Sequence, residues 1–128
     1  MKNVKLFSIL TIILLAVSCK NKDVNPNLPV ANFTADNDTI PYGIGSNLVF
    51  NFTNTSSNAT TYRWDFGGGY SATTTNGYIS YTSADLTDFF TMVTLSGTNY
   101  FSNQIKLTAK NGTDSAVIIK TVVIIEEL

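Results

Sequence analysis

The sequence contains no histidine. That absence removes the commonest general base and the commonest transition-metal ligand together. Cysteine is nearly as scarce, with Cys19 alone. Charged residues make up only 13% of the 128 residues, for a net charge of −1. The basic ones do not cluster, so the electrostatic footprint that nucleic-acid binding requires is missing. No serine sits in a nucleophile elbow, and the only central acids are Asp65, Asp85 and Asp88. Glycosidic hydrolysis needs two carboxylates facing each other across a cleft, which that spacing does not establish. The chain therefore reads as non-catalytic. Good helix formers are thin beside the abundant Thr, Ser and Asn, which favours an all-β fold.

What is present begins with a targeting pattern. Met1 to Lys5 is short and basic, and Leu6 to Val17 is an apolar run interrupted only by Ser8 and Thr11. A run of about 12 residues suits the apolar region of an export signal and is too short for a bilayer core of about 30 Å. It ends in Ala16-Val17-Ser18-Cys19, which resembles the lipobox of bacterial lipoproteins. The resemblance implies removal of residues 1–18 and lipidation of Cys19, with palmitate or similar acyl chains holding the mature protein to the membrane. One acyl chain holds weakly and several hold stably. Such a fate accounts for an unpaired cysteine in an exported chain. Without residues 1–18, six basic side chains stand against nine acidic ones, a net charge of −3. Residues 19–28 then read as the lipidated cysteine and a flexible polar tether, and residues 29–128 as one folded domain. The charged stretch Lys20-Asn21-Lys22-Asp23 resembles surface-export signals of lipoproteins in one group of Gram-negative bacteria. The expected location is the cell envelope, at the outer membrane, on its surface or periplasmic face.

Period-two alternation organises the rest. Phe33 sits between Ala31 and Ala35, Leu48, Phe50 and Phe52 alternate with Val49, Asn51 and Thr53, and Tyr62, Trp64 and Phe66 alternate with Arg63 and Asp65. Each pattern predicts a strand with one buried face. Residues 36–46 read as a turn-rich connection, and Tyr70 to Gly77 as a loop or weak edge strand. Tyr78 to Tyr81 reads as a short strand. Asp85 to Asp88 reads as one helical turn capped by Ser83 or Asp85. Further strands are expected over Phe89–Leu95, at Tyr100 and Phe101, over Gln104–Ala109 with Ile105, Leu107 and Ala109 inward, and over Ala116–Ile125. Turns are expected at Gly97-Thr98-Asn99 and at Asn111-Gly112, the strongest hairpin signal in the chain. The last strand is apolar on consecutive positions, which hides its buried face. About eight strands with turns roughly every ten residues argue for an antiparallel β-sandwich. Trp64 is expected at its centre.

The stretch Tyr62-Arg63-Trp64-Asp65-Phe66-Gly67-Gly68-Gly69, after an Asn/Ser/Thr loop, resembles the signature of the PKD (polycystic kidney disease) domain family. Pro29-Val30-Ala31-Asn32-Phe33-Thr34-Ala35 looks like that family's first strand, and Ile105, Leu107, Ala109 and Asn111 like a late one. The resemblance covers roughly residues 29 to 125 and implies an immunoglobulin-like sandwich with Tyr62, Trp64, Asp65, Phe66 and Gly67 as signature and core positions. Gly68 stands where the family usually has Asp, and residues 78–103 depart from its pattern. PKD-type domains generally act as interaction or spacer modules. The implied function is a non-catalytic envelope module that binds protein or polysaccharide. Two alternatives are a structural subunit pairing through an exposed strand edge and an accessory carbohydrate-active protein.

Candidate ligand groups are few. Tyr70, Tyr78, Tyr81, Tyr100 and Phe101 lie in or beside loops and would form a sugar-stacking platform, or else pack in the core and across strands. Asp36, Asp38 and Asp65 are the hard oxygen ligands open to calcium, although such a site needs six or more oxygens. Otherwise Asp36 and Asp38 make Asx turns and Asp65 accepts N–H groups from the glycine turn. No cofactor is expected. Asp38-Thr39-Ile40 and Asp114-Ser115-Ala116 resemble acceptors of a bacterial O-glycosylation system.

Overall fold

The computed structural model describes residues 25–42 and 47–126. The expected export signal, Cys19 and residues 20–24 lie outside them. Among the described residues the strands are β1 (Phe33–Ala35), β2 (Thr39–Tyr42), β3 (Leu48–Asn54), β4 (Thr61–Asp65), β5 (Ser71–Ala72), β6 (Gly77–Tyr81), β7 (Thr91–Leu95), β8 (Thr98–Asn111) and β9 (Asp114–Glu126). One helix, α1 (Ser83–Phe89), lies between β6 and β7. The strands form an all-β sandwich of two sheets. One sheet runs β1-β3-β6, and the other runs β2-β9-β8-β4-β5, with β7 also paired to β8.

The alternating residues build the core. Phe33, Leu48, Phe50 and Phe52 from the first sheet meet Trp64, Ile105, Leu107, Val122 and Ile124 from the second, all at 1% exposure or less. Aromatic rings dominate the interface: Phe33 lies edge-on to Trp64 at 5.2 Å, while Phe52 stacks on it at 5.8 Å. Burial of rings this large supplies much of the driving force in a domain of this size. Trp64 also donates its indole N–H to the Thr74 carbonyl at 3.0 Å, which offsets the desolvation of its polar end.

Several local expectations are corrected. Residues 39–42 form strand β2 within the expected turn region, and it runs parallel to β9 with Ile40 beside Ile124; the sandwich is therefore mixed. Propensity gave no signal there, because the pairing partner is more than 80 residues away. The segments expected at Tyr100–Phe101 and at Gln104–Ala109 are one continuous strand of 14 residues, β8. Helix α1 has seven residues, and its N-cap is Thr82. Asp85 acts as the reciprocal acid: its carboxylate accepts the Thr82 backbone N–H at 2.6 Å and the Thr82 hydroxyl at 2.9 Å. The β7–β8 turn is Ser96-Gly97, both with positive φ (52° and 86°), as a type I′ hairpin demands. The β8–β9 turn is shifted by one residue from Asn111-Gly112. Asn111 pairs with Asp114, and Gly112 takes the first central position at φ 59°.

At the N-terminal boundary, Asn58 donates its side-chain amide to the Pro26 and Leu28 carbonyls at 2.8 and 3.2 Å. Pro26 and Leu28, within the segment expected to be a flexible tether, are thus docked on the sandwich.

Candidate interaction surface

The glycine turn after β4 is closed by its own backbone. Phe66 N–H donates to the Tyr70 carbonyl and Tyr70 N–H to the Gly67 carbonyl, both at 2.9 Å. Gly67, Gly68 and Gly69 all have positive φ, which explains the glycine run. Asp65 Oδ1 accepts the Gly67 N–H at 3.1 Å, and its other oxygen lies 3.4 Å from the Lys106 amine. The Gly67 N–H, with help from Lys106, holds the Asp65 carboxyl below its usual value. Tyr62 is half-buried and donates its hydroxyl to the Ala59 carbonyl at 3.1 Å. Gly68 lies directly under the Phe89 ring, where an added Cβ would come within 2.5 Å of it. That contact leaves no room at position 68 for a side chain such as Asp.

The five aromatic candidates do not come together. Tyr81 and Phe101 are buried in the core. Tyr70, 40% exposed, packs edge-on against Tyr81 and Phe89 and donates its hydroxyl to Asp85 at 3.1 Å. Tyr78, 60% exposed, lies on the β3–β6 sheet opposite Asn51. Tyr100 is half-buried in the other sheet, between Val93 and Ile125. Asp36 and Asp38 are exposed between β1 and β2. No group of three or more acids, histidines or cysteines able to hold a metal comes together among the described residues.

A different surface emerges on β9. Its residues 114–125 pair with β8 on one side, whereas β2 covers its other side only from Val123 to Glu126. The segment from Asp114 to Val122 is therefore an open sheet edge among the described residues. Two observations fix which groups face outward. Asn111 and Asp114 close a two-residue hairpin, and Val123 N–H donates away from β8, to the Asp38 carbonyl at 2.8 Å. Antiparallel ladders alternate between bonded and unbonded pairs. Hence Asp114, Ala116, Ile118, Lys120 and Val122 bond β8, while Ser115, Val117, Ile119 and Thr121 aim N–H and C=O groups at the open edge.

The same four residues direct their side chains to the outer face, since Val122 and Ile124 fill the core. Val117 and Ile119 are 54% and 51% exposed. The apolar surface continues through Val123 to a row in which Val93, Tyr100, Ile125 and Pro41 are successive cross-strand neighbours. Lys120 points inward: its amine donates to the Phe33 carbonyl and lies 5.0 Å from the centroid of the Phe33 ring. A cleft of about 280 Å³ lined by Phe33, Ala35, Asp38, Lys120 and Thr121 separates β1 from β9 here. Sequence reasoning missed this edge because Val117, Ile118 and Ile119 are apolar on both faces. The signal available was Lys120, a single charge that breaks the run on the core-facing phase.

No family model matches this sequence, and no curated protein matches it. Among solved structures, the chain is similar to AggA, the major subunit of aggregative adherence fimbriae type I from Escherichia coli. The identity is 14%, the match covers 77% of this chain and 93% of that one, and the TM-score is 0.34. A likeness at that level carries no argument about what this chain does.

Proposed function

We propose that this chain is a non-catalytic interaction module of the bacterial cell envelope, held to the membrane through a lipidated Cys19, and that it engages a protein partner by strand addition at β9. The PKD-like signature and the lipobox-like segment support the module and its location. The open edge at Ser115, Val117, Ile119 and Thr121 carries the mode of binding. Unpaired strand edges are templates for another strand, and natural proteins usually blunt them with proline, bulges or charged side chains. Between Asp114 and Val122 this edge has no proline, and the amine of its one lysine, Lys120, is already engaged by the Phe33 carbonyl of its own chain. Main-chain hydrogen bonds would supply affinity, and Val117 and Ile119 the side-chain contacts. A polysaccharide partner is less well served, because the aromatic side chains that would stack on sugar rings are divided between two sheets and the core.

The test is amide hydrogen exchange at residues 115, 117, 119 and 121, compared between the dilute purified chain and cell envelopes. Strong protection in the envelope alone, lost in Val117→Pro, is the expected result. Proline is suited to this position because the Val117 N–H bonds nothing within the sheet. Fast exchange at all four amides in both preparations overturns the reading.

A further inference from the structure

The partner at this edge has a chemistry that the edge itself specifies. Resting on the reading above, we infer that β9 receives a second copy of this chain, antiparallel, about a two-fold axis that passes between its own Val117 and the copy's Val117. The outward groups belong to odd-numbered residues, so an antiparallel neighbour of the same sequence keeps its hydrogen bonds only in registers that set odd residues against odd ones. Several registers meet that condition, and charge selects among them.

Between Asp114 and Val122 there are two charged residues, Asp114 and Lys120. Both belong to the core-facing row, and Val117 lies midway between them in sequence. Pairing about Val117 sets Asp114 opposite the second copy's Lys120, and Lys120 opposite the second copy's Asp114. Opposite charges directly across a strand pair are favourable, and like charges are not. Moving the axis to Ile118 would leave Lys120 facing Ala116, and in-register parallel pairing would place lysine beside lysine. Lys120 keeps donors for this role, since an ammonium has three and Phe33 takes one. Asp114 forms no ion pair among the described residues, where the one salt bridge joins Lys106 to Asp65.

The remaining positions are compatible. On the outer row Val117 meets its own copy, flanked on each side by a Ser115–Ile119 pair, so the two half-exposed aliphatic side chains cover one another. On the core-facing row Ala116 meets Ile118, a small residue against a large one. Such an arrangement is isologous and closes as a dimer, leaving no edge at β9 for further growth.

The full chain in detergent tests this by sedimentation velocity and cysteine cross-linking. A concentration-dependent dimer is expected, with the 115–121 amides protected in the purified protein as its concentration rises. Asp114→Lys should weaken the dimer at least tenfold, and Asp114→Lys with Lys120→Asp should recover most of the loss. Val117→Cys should oxidise to a cross-linked dimer, because bonded antiparallel pairs lie about 5.5 Å apart at Cα, within disulfide range. Thr108→Cys, on the neighbouring strand, and the unsubstituted chain should not cross-link. A chain that stays monomeric at all concentrations, or a dimer indifferent to Asp114→Lys, overturns the self-pairing. Monomer whose edge amides are protected only in the envelope overturns self-pairing while leaving the edge-binding reading in place. Monomer with fast amides in both preparations overturns both.

Discussion

The Tyr81 hydroxyl donates a 2.6 Å hydrogen bond to the Phe66 carbonyl, joining the last residue of β6 in one sheet to the residue that opens the glycine turn of the other. Burial raises the Tyr81 hydroxyl well above its ordinary pKa, so it remains a donor at any physiological pH. Asn103 donates to the same carbonyl at 2.8 Å and lies 3.3 Å from the Tyr81 oxygen. Tyr81→Phe should therefore cost only about 1 kcal/mol, because the Phe66 carbonyl retains one partner. Urea unfolding reads the difference; a loss several times larger would show that the tyrosine alone fixes the junction between the sheets.

Trp64 is fully buried among Phe33, Phe52 and Phe66, and Gly77 lies against its ring, where an added Cβ would sit 3.0 Å away. Trp64→Ala should remove about 3–5 kcal/mol, as large-to-small core replacements do. That is a large part of the stability of a domain this small. A melting temperature equal to that of the unsubstituted chain would contradict the packing described here.

The contrast between β4 and β9 shows what the sequence made legible. Tyr62, Trp64 and Phe66 alternate with charged residues, and the larger Leu48, Phe50 and Phe52 with Val49, Asn51 and Thr53, so period and face could be read directly. β9 has apolar residues on both phases, and its register follows from pairing with β8 and from the turn at Gly112. β2 contains Pro41 beside a run of Asp and Asn, and only its pairing with β9 makes it a strand. The candidate surface was hidden for the same reason. An open edge is a property of which strands fail to meet, and local pattern does not encode that. The aromatic candidates illustrate the converse, since proximity to loops in sequence did not separate the buried Tyr81 from the exposed Tyr78.

The Asp85 carboxylate makes a pH-dependent contribution. Burial by itself would raise its pKa, but hydrogen bonds from the Thr82 backbone N–H, the Thr82 hydroxyl and the Tyr70 hydroxyl outweigh that and hold it below the ordinary value. The unfolded chain therefore binds the proton more readily. The stabilisation is complete above the unfolded pKa of about 3.9 and is lost as pH falls through the lower folded value. Asp85→Asn should be less stable than the unsubstituted chain at pH 7, and the gap should narrow toward pH 3. Asp65, also held low, would supply the acid sensitivity left in the variant. Urea midpoints across that range check it, and a gap independent of pH would show that the carboxylate charge contributes nothing.

Gly68 offers the sharpest test of how the Phe89 ring constrains the glycine turn. Its φ of 58° is one that Asp tolerates better than most residues, so backbone strain alone would not exclude the acid. The Phe89 ring would, because it occupies the position a Cβ needs. Phe89 in turn lies edge-on to Tyr70 at 5.8 Å, so moving it aside gives up that ring contact. Gly68→Asp should then cost about 1–3 kcal/mol, the usual range for forced overpacking. In a Phe89→Ala background the same substitution should cost much less, giving a coupling energy of at least about 0.5 kcal/mol between the two positions. Additive effects across that double-mutant cycle would mean that the ring does not decide the residue. In that case the cost of Asp would have to arise in the backbone of the turn itself.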